Sequence, residues 1–211
     1  MTEIRLYRHA QSELNIRRDL VGGRSNQTRL TQLGESQAVA LAWHLQSENY
    51  SPDVVFSSPA IRAIHTGRIA LLGHGIKEDD FITDYGLQEL SQGHAEGGPR
   101  ETIYTDEIRA RIGVELEEFA FEGGESMRQT GQRMLNDWLL PTLEKFPDAD
   151  RIVAFTHGFA IKCLAAQVED GWDHSRIRFH SVPNVSETTL FYDRQSAALT
   201  VGDVGKVTVA D

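Results

Sequence analysis

Apolar and polar positions along the chain alternate between short runs of strand length and longer amphipathic stretches. Residues 3 to 8, "EIRLYR", place Ile4 and Leu6 on one side and predict a strand. A polar loop follows, "NIRRDLVGGRSNQTR", rich in Gly, Asn and Arg. Thr31 then caps a predicted helix to about residue 48, with Leu33, Ala38, Leu41, Ala42 and Leu45 on its inner face. "DVVFS", 53 to 57, has strand length, and Ser58-Pro59 reads as the cap and first position of a helix to about Leu72.

Residues 81 to 90 are mixed and predict a short strand with an irregular loop. "PRETIYTDEIRARI" predicts one helix in an excursion from the core. Residues 125 to 146 predict a long amphipathic helix with an inner stripe of Met127, Met134, Leu135, Trp138, Leu139, Leu143 and Phe146, kinked or cut short at Pro141. "RIVAFTH" is a buried strand, "GFAIKCLAAQV" a helix directly after it, and "ETTLFYD" with "ALTVGDV" a closing hairpin. With no internal repeat or linker, residues 1–211 read as a single domain. Alternating strands and helices predict an α/β fold, a three-layer α/β/α sandwich around a mostly parallel central sheet.

Charge and composition narrow the partners. The 211 residues carry a formal net charge of -10, which argues against nucleic acid and anionic membrane as partners. No stretch approaches the ~20 apolar residues that span a bilayer. "MTEIRLYRHA" lacks the pattern of a signal peptide, and Cys163 is the single cysteine, so the expectation is a cytoplasmic protein without disulfides. Cys163 lies in an apolar helix and reads as packing. The eight histidines include no metal-ligand array, so no metal is expected. An apolar patch on an edge strand or long helix would mark a homodimer.

The chemistry sits at strand ends. Arg8 and His9 close the first strand, Arg62 lies on the first turn after the second, and His157 closes the "RIVAFTH" strand. Ligands of parallel sheets bind at the carboxyl ends of the strands. Two imidazoles and two guanidiniums would therefore meet in one crevice with helix N-termini, a pocket suited to a phosphoryl group.

These residues stand inside a series of motifs: "RHAQSELN", "RLTQLGESQA", "SSPAIRAIHT", "LQELSQGHAEGG", "GGES", "THG" and "PNVSET". In that order the chain resembles the histidine phosphatase superfamily, in the branch of the cofactor-dependent phosphoglycerate mutases and many small phosphatases. The resemblance implies that His9 is a nucleophile forming a phosphohistidine and that Glu89 is the proton donor. It implies that Arg8, Arg62 and His157 surround the phosphoryl oxygens, with Asn15 as a further donor. It also implies a small phosphorylated substrate, a cap formed by residues 98–122, and no cofactor. A mutase would instead need 2,3-bisphosphoglycerate; its cap region is longer and carries Leu-Gln-Gly where this chain has Ala95-Glu96-Gly97, so a phosphatase is expected. A phosphate-binding module without catalysis would need neither nucleophile nor acid. Ala10 replaces the family's Gly, and its Cβ narrows the backbone's choices beside the phosphate. His65 replaces the common Gln and is expected either to pack in its helix or to line the pocket. Arg18, Arg24 and Arg29 are expected to solvate their loop or to bind a second anionic group.

Overall fold

The computed structural model describes residues 1–169, 172 and 181–208. Among the described residues, six strands form one sheet in the order β3-β2-β4-β1-β5-β6. They are β1 (Thr2–Arg8), β2 (Val54–Ser57), β3 (Phe81–Thr83), β4 (Arg151–Thr156), β5 (Glu187–Asp193) and β6 (Ala198–Val201). Strands β1 to β4 run parallel, while β5 and β6 form the antiparallel hairpin on one side. The sandwich with a largely parallel central sheet is therefore the one its alternating pattern predicted.

A single helical turn, α1 (Glu13–Ile16), follows β1, and each face of the sheet carries its own core. On one face Tyr7, Val55, Val153 and Phe155 pack with residues of α2 (Gln32–Ser47) and α3 (Ile61–Ala70). On the other, Ile4, Leu6, Phe56, Ile152 and Ala154 pack with α8 (Gly158–Val168) and with the helical stretch through Trp138. Adjacent residues of one strand serve opposite cores, which is why the β4 run is apolar throughout. Cys163 is buried in α8, and burial pushes its thiol well above the usual range, as expected of a packing residue.

Several boundaries differ from the sequence reading, each for a local reason. Helix α2 has Thr31 as its cap, with the hydroxyl accepting from Gly34 N at 3.0 Å. Its buried stripe is Gly34, Ala38, Leu41 and Leu45, whereas Leu33 is 52% exposed. Gly34 takes the inner position because a Cβ there would lie 2.0 Å from the Gln11 carbonyl oxygen. Helix α3 begins at Ile61 with Ala60 as its cap, later than the Ser58-Pro59 reading; the Ser58 hydroxyl accepts from Ala60 N at 3.4 Å, ahead of the helix, and from His157 Nε2 at 2.8 Å. His65 faces solvent, outside the buried stripe of Arg62, Ala63, Thr66, Gly67 and Ala70. It neither packs nor lines the pocket.

The predicted helix over "PRETIYTDEIRARI" is two, α4 (Arg100–Ile103) and α5 (Asp106–Glu115), because Thr105 starts a new helix by accepting from Ile108 N. The long amphipathic helix runs as α6 (Met127–Arg133), a π-helical stretch Met134–Leu139, and α7 (Leu140–Lys145). The π stretch absorbs Pro141, whose missing N–H and ring would disrupt a regular α-helical ladder. Among the described residues no helix is long and apolar enough to cross a membrane.

Candidate active site

The register of three parallel strands brings the predicted residues to one edge. Tyr7 and Arg8 lie beside Phe155 and Thr156, and Val55 to Ser57 flank β4 on its other side. His9 follows β1 and is held by its own N–H on the Thr156 carbonyl at 2.9 Å. Arg62 enters from the second helical position of α3, and His157 caps α8 directly after β4.

Hydrogen bonds decide the state of each ring. His9 Nδ1 lies 2.7 Å from the Ala10 carbonyl, which only accepts, so Nδ1 carries the proton. Its Nε2 accepts from Arg62 Nε at 3.2 Å and therefore keeps a lone pair. Burial, reinforced by the Arg62 and Arg8 charges, holds the ring well below its ordinary pKa, so it is neutral at pH 7. His157 is the other tautomer. Arg62 Nη2 donates to its Nδ1 at 3.1 Å, leaving Nε2–H to donate to the Ser58 hydroxyl at 2.8 Å. Burial and then the Arg62 charge depress its pKa as well.

Arg62 is 3% exposed, and burial pulls it down to about 10, so it stays charged at neutral pH. Besides the two imidazoles it donates to the carbonyls of Gly23, Arg24 and Ser25 at 3.3, 3.0 and 2.9 Å. That loop is itself pinned by Glu96, which accepts from the backbone N–H groups of Arg24 and Ser25 at 3.0 and 3.3 Å. Gly23, at φ +143, permits the approach, since a Cβ there would lie 2.4 Å from Glu96. Arg8 donates Nη1 to the Val182 carbonyl at 2.7 Å, while its buried Nε has no partner.

Glu89 stands across the opening. Its carboxylate accepts from Leu90, Phe159 and Ala160 N–H groups at 2.9, 3.2 and 2.8 Å, the last two belonging to the first turn of α8. Thr156 donates to the Leu87 carbonyl at 2.7 Å and so ties the Glu89 segment to the end of β4. Asn15 spends its Oδ1 on Ser12 N and on Asn184 Nδ2, and Asn184 also donates to the His9 carbonyl at 2.8 Å.

Arg8, His9, Asn15, Arg62 and Glu89 all line one cleft of about 510 Å³. His157 does not: it is fully buried behind Arg62, with both ring nitrogens engaged. Ala10 is also outside the cleft. Its φ is not positive, its N–H bonds the Thr66 hydroxyl at 3.0 Å, and its Cβ is buried in the α2/α3 core, so the residue does not narrow the opening. Arg18 lies on the cleft wall with Arg17, which pairs with Asp19, whereas Arg24 pairs with Glu125. Sequence reasoning missed Ser12, a cleft-lining residue whose buried hydroxyl has no partner, and Phe159 on the far wall; Arg100 and Tyr104 there fall within the expected segment 98–122 but were not singled out. Ser12 stands in "RHAQSELN" and was within reach; the far wall carries no local signal. Among the described residues no group of three or more His, Cys, Asp and Glu is placed to hold a metal ion.

Known proteins resemble this chain in sequence and in fold. A 2,3-bisphosphoglycerate-dependent phosphoglycerate mutase of Methylobacterium radiotolerans is 30% identical over 179 residues, 82% of this chain and 81% of the relative. In fold, the chain is similar to a mycobacterial glucosyl-3-phosphoglycerate phosphatase solved with inorganic phosphate, at TM-score 0.80 and 24% identity, covering 100% of both chains. A phosphoserine phosphatase of Entamoeba histolytica, solved with 3-phosphoglyceric acid, aligns at TM-score 0.78 and 20% identity over 96% of each chain. The sequence profile of the histidine phosphatase superfamily (branch 1) matches residues 4–203. With that profile spanning nearly the whole chain, the protein belongs to branch 1 of the histidine phosphatase superfamily, a family of enzymes acting on small phosphorylated molecules.

Proposed function

We propose that this protein is a metal-independent phosphomonoesterase that hydrolyses a small phosphate ester through a phosphohistidine on His9. The observation that carries the reading is the His9 tautomer: a neutral ring with Nδ1–H on a carbonyl and the Nε2 lone pair beside Arg62 on the cleft wall. Such a nitrogen is nucleophilic near neutral pH, and its phosphoramidate is open to water.

In the first step Nε2 attacks phosphorus, the P–O bond to the alcohol breaks, and Glu89 gives its proton to the leaving oxygen. In the second, water attacks the phosphohistidine, the Glu89 carboxylate takes the water's proton, and Nε2 recovers its lone pair. Arg8 and Arg62 neutralise the equatorial oxygens, the unpartnered Arg8 Nε being the first donor available. Asn15 Nδ2 adds a neutral donor. Arg62 exchanges its bonds to His9 Nε2, His157 Nδ1 and the loop carbonyls for phosphate oxygens, which frees the His9 lone pair. His157 becomes a donor to the same oxygens once its proton moves from Nε2 to Nδ1, with Nε2 then accepting from the Ser58 hydroxyl. Residues 98–122 cap the cleft, since Arg100 and Tyr104 form part of its wall.

A second reading is a phosphoglycerate mutase, favoured by the name of the 30% identical relative. One experiment separates them. Inorganic phosphate release from a panel of small esters is followed with chelator present, in the native protein and in His9→Ala. The expected result is chelator-insensitive release that is lost in His9→Ala, with an acid-labile phosphoryl group trapped on the native chain only. Silence across the panel, with phosphoryl transfer between phosphoglycerates dependent on 2,3-bisphosphoglycerate, replaces the phosphatase with the mutase.

A further inference from the structure

The cleft continues beyond its phosphate end. A second, apolar hollow of about 250 Å³ lies against segment 98–122, and Leu90, Gln92, Arg100, Tyr104 and Phe159 line both spaces. Past this shared neck the wall is made by Ile112, Leu116, Phe119, Phe121 and Met127. None of these five belongs to either core of the sheet, so neither core accounts for their grouping. The rings of Tyr104, Phe119 and Phe121 meet edge to face, with centroids 5.7 and 5.0 Å apart, which braces that side. Phe159 is 46% exposed at the neck although the turn that carries it is tied down by Glu89.

The two charged side chains on this wall are already engaged. Glu125 pairs with Arg24 and Arg133, and the Arg100 guanidinium lies 4.7 Å from the Tyr104 ring centre. An apolar space next to a reactive phosphate site, with its charges occupied, is suited to the non-reacting part of a substrate.

Resting on the phosphatase reading above, we propose that the substrate is a phosphomonoester whose alcohol carries a flat apolar group, such as an aromatic ring, seated in this hollow while the phosphate meets His9. Burial of the ring adds binding that is the same in ground and transition states. Its signature is therefore a lower KM with little change in kcat.

The test uses two esters whose leaving alkoxides are similar in basicity, ethyl phosphate and 2-phenylethyl phosphate. The native protein is expected to favour 2-phenylethyl phosphate by about tenfold or more in kcat/KM, the gain lying in KM. In Phe121→Ser, and in Ile112→Asn should the first variant fail to fold, the ratio between the two esters is expected to drop by at least about threefold. Equal kcat/KM for the two esters, or a preference untouched in the folded variants, overturns the assignment of the hollow while leaving the phosphatase reading intact. Turnover of neither ester overturns both, and the ethyl ester, too short to engage the hollow, makes the two failures distinguishable.

Discussion

At one end of the cleft, His9 and Arg62, with His157 behind them, are 4%, 3% and 0% exposed and stand at the ends of parallel strands or one helical turn beyond; on the side of segment 98–122, α5 has no buried residue and Val114 is 82% exposed. The first region is held by bonds between residues far apart in the chain, such as Arg62 to His157 and Asn184 to the His9 carbonyl. The second is tied to the body at its root, by Arg100 N on the Asp19 carbonyl, but its helix α5 is held by short-range contacts, such as Arg111 with Glu115 and the Thr105 cap. The two regions divide the work of the proposed reaction. Phosphoryl chemistry needs donors fixed before the ester arrives, because a preorganised charge does not have to reorient as the transition state forms. Choice of alcohol needs only a surface of the right shape and polarity, which a few helical turns supply.

If this division is right, substitutions at the phosphate end act on kcat. Glu89→Gln keeps the Leu90 and Ala160 hydrogen bonds on its carbonyl oxygen, loses the one from Phe159, and has no proton to give, so kcat is expected to fall by about 10²–10⁴ for alkyl esters. The loss should shrink for p-nitrophenyl phosphate, whose leaving group needs no proton. An equal loss on both kinds of ester would take Glu89 out of the acid role. Arg62→Lys is expected to cost about 10²–10³ in kcat, since an ammonium replaces a planar fork that serves two imidazoles and the loop carbonyls. An equal loss of kcat/KM with kcat unchanged would instead assign Arg62 to ground-state binding alone.

A smaller effect should appear in stability, and only at the phosphate end. His9 and His157 both titrate well below the ordinary histidine range when folded, chiefly through burial. The unfolded chain therefore binds more protons below pH ~6.5, and stability is fully present above that pH and lost as pH falls toward the folded values. Each ring contributes a slope of about 1.4 kcal/mol per pH unit in that window. Urea midpoints measured from pH 8 to pH 5 should show the decline, and His157→Gln should remove about half of it. A native midpoint that stays level across this range would mean that the rings are not held neutral. On the cap side, Val114→Ser should move the midpoint by no more than about 0.5 kcal/mol.

The same contrast explains what could be read from the chain. The strands, the Thr31 cap and the helix 158–168 announce themselves through local periodicity and capping chemistry, and the structure has them at or near those places. The residues at the strand ends were visible because parallel strands send their carboxyl ends to one edge. Ser58 reads locally as a cap, and nothing along the chain reveals that its hydroxyl also answers to His157, a partner 99 residues away. Leu33 was taken for a core residue because nothing local reveals that the Gln11 carbonyl occupies the space beside Gly34. The family resemblance implies a cap at residues 98–122, but not which side chains face the cleft, since Phe159 and Phe121 look like ordinary core aromatics until the fold sets them beside the opening.

By itself the sequence determined the layered α/β architecture, the family, and the set of residues brought to the sheet edge, all of which follow from period, spacing and motif. Only the tertiary structure decided the protonation pattern of the two imidazoles, the burial of His157 behind Arg62, and the apolar hollow against segment 98–122. Tautomers depend on which donors and acceptors face each nitrogen, and a hollow on what is left unfilled between elements. Both are properties of neighbours in space, which spacing along the chain does not encode.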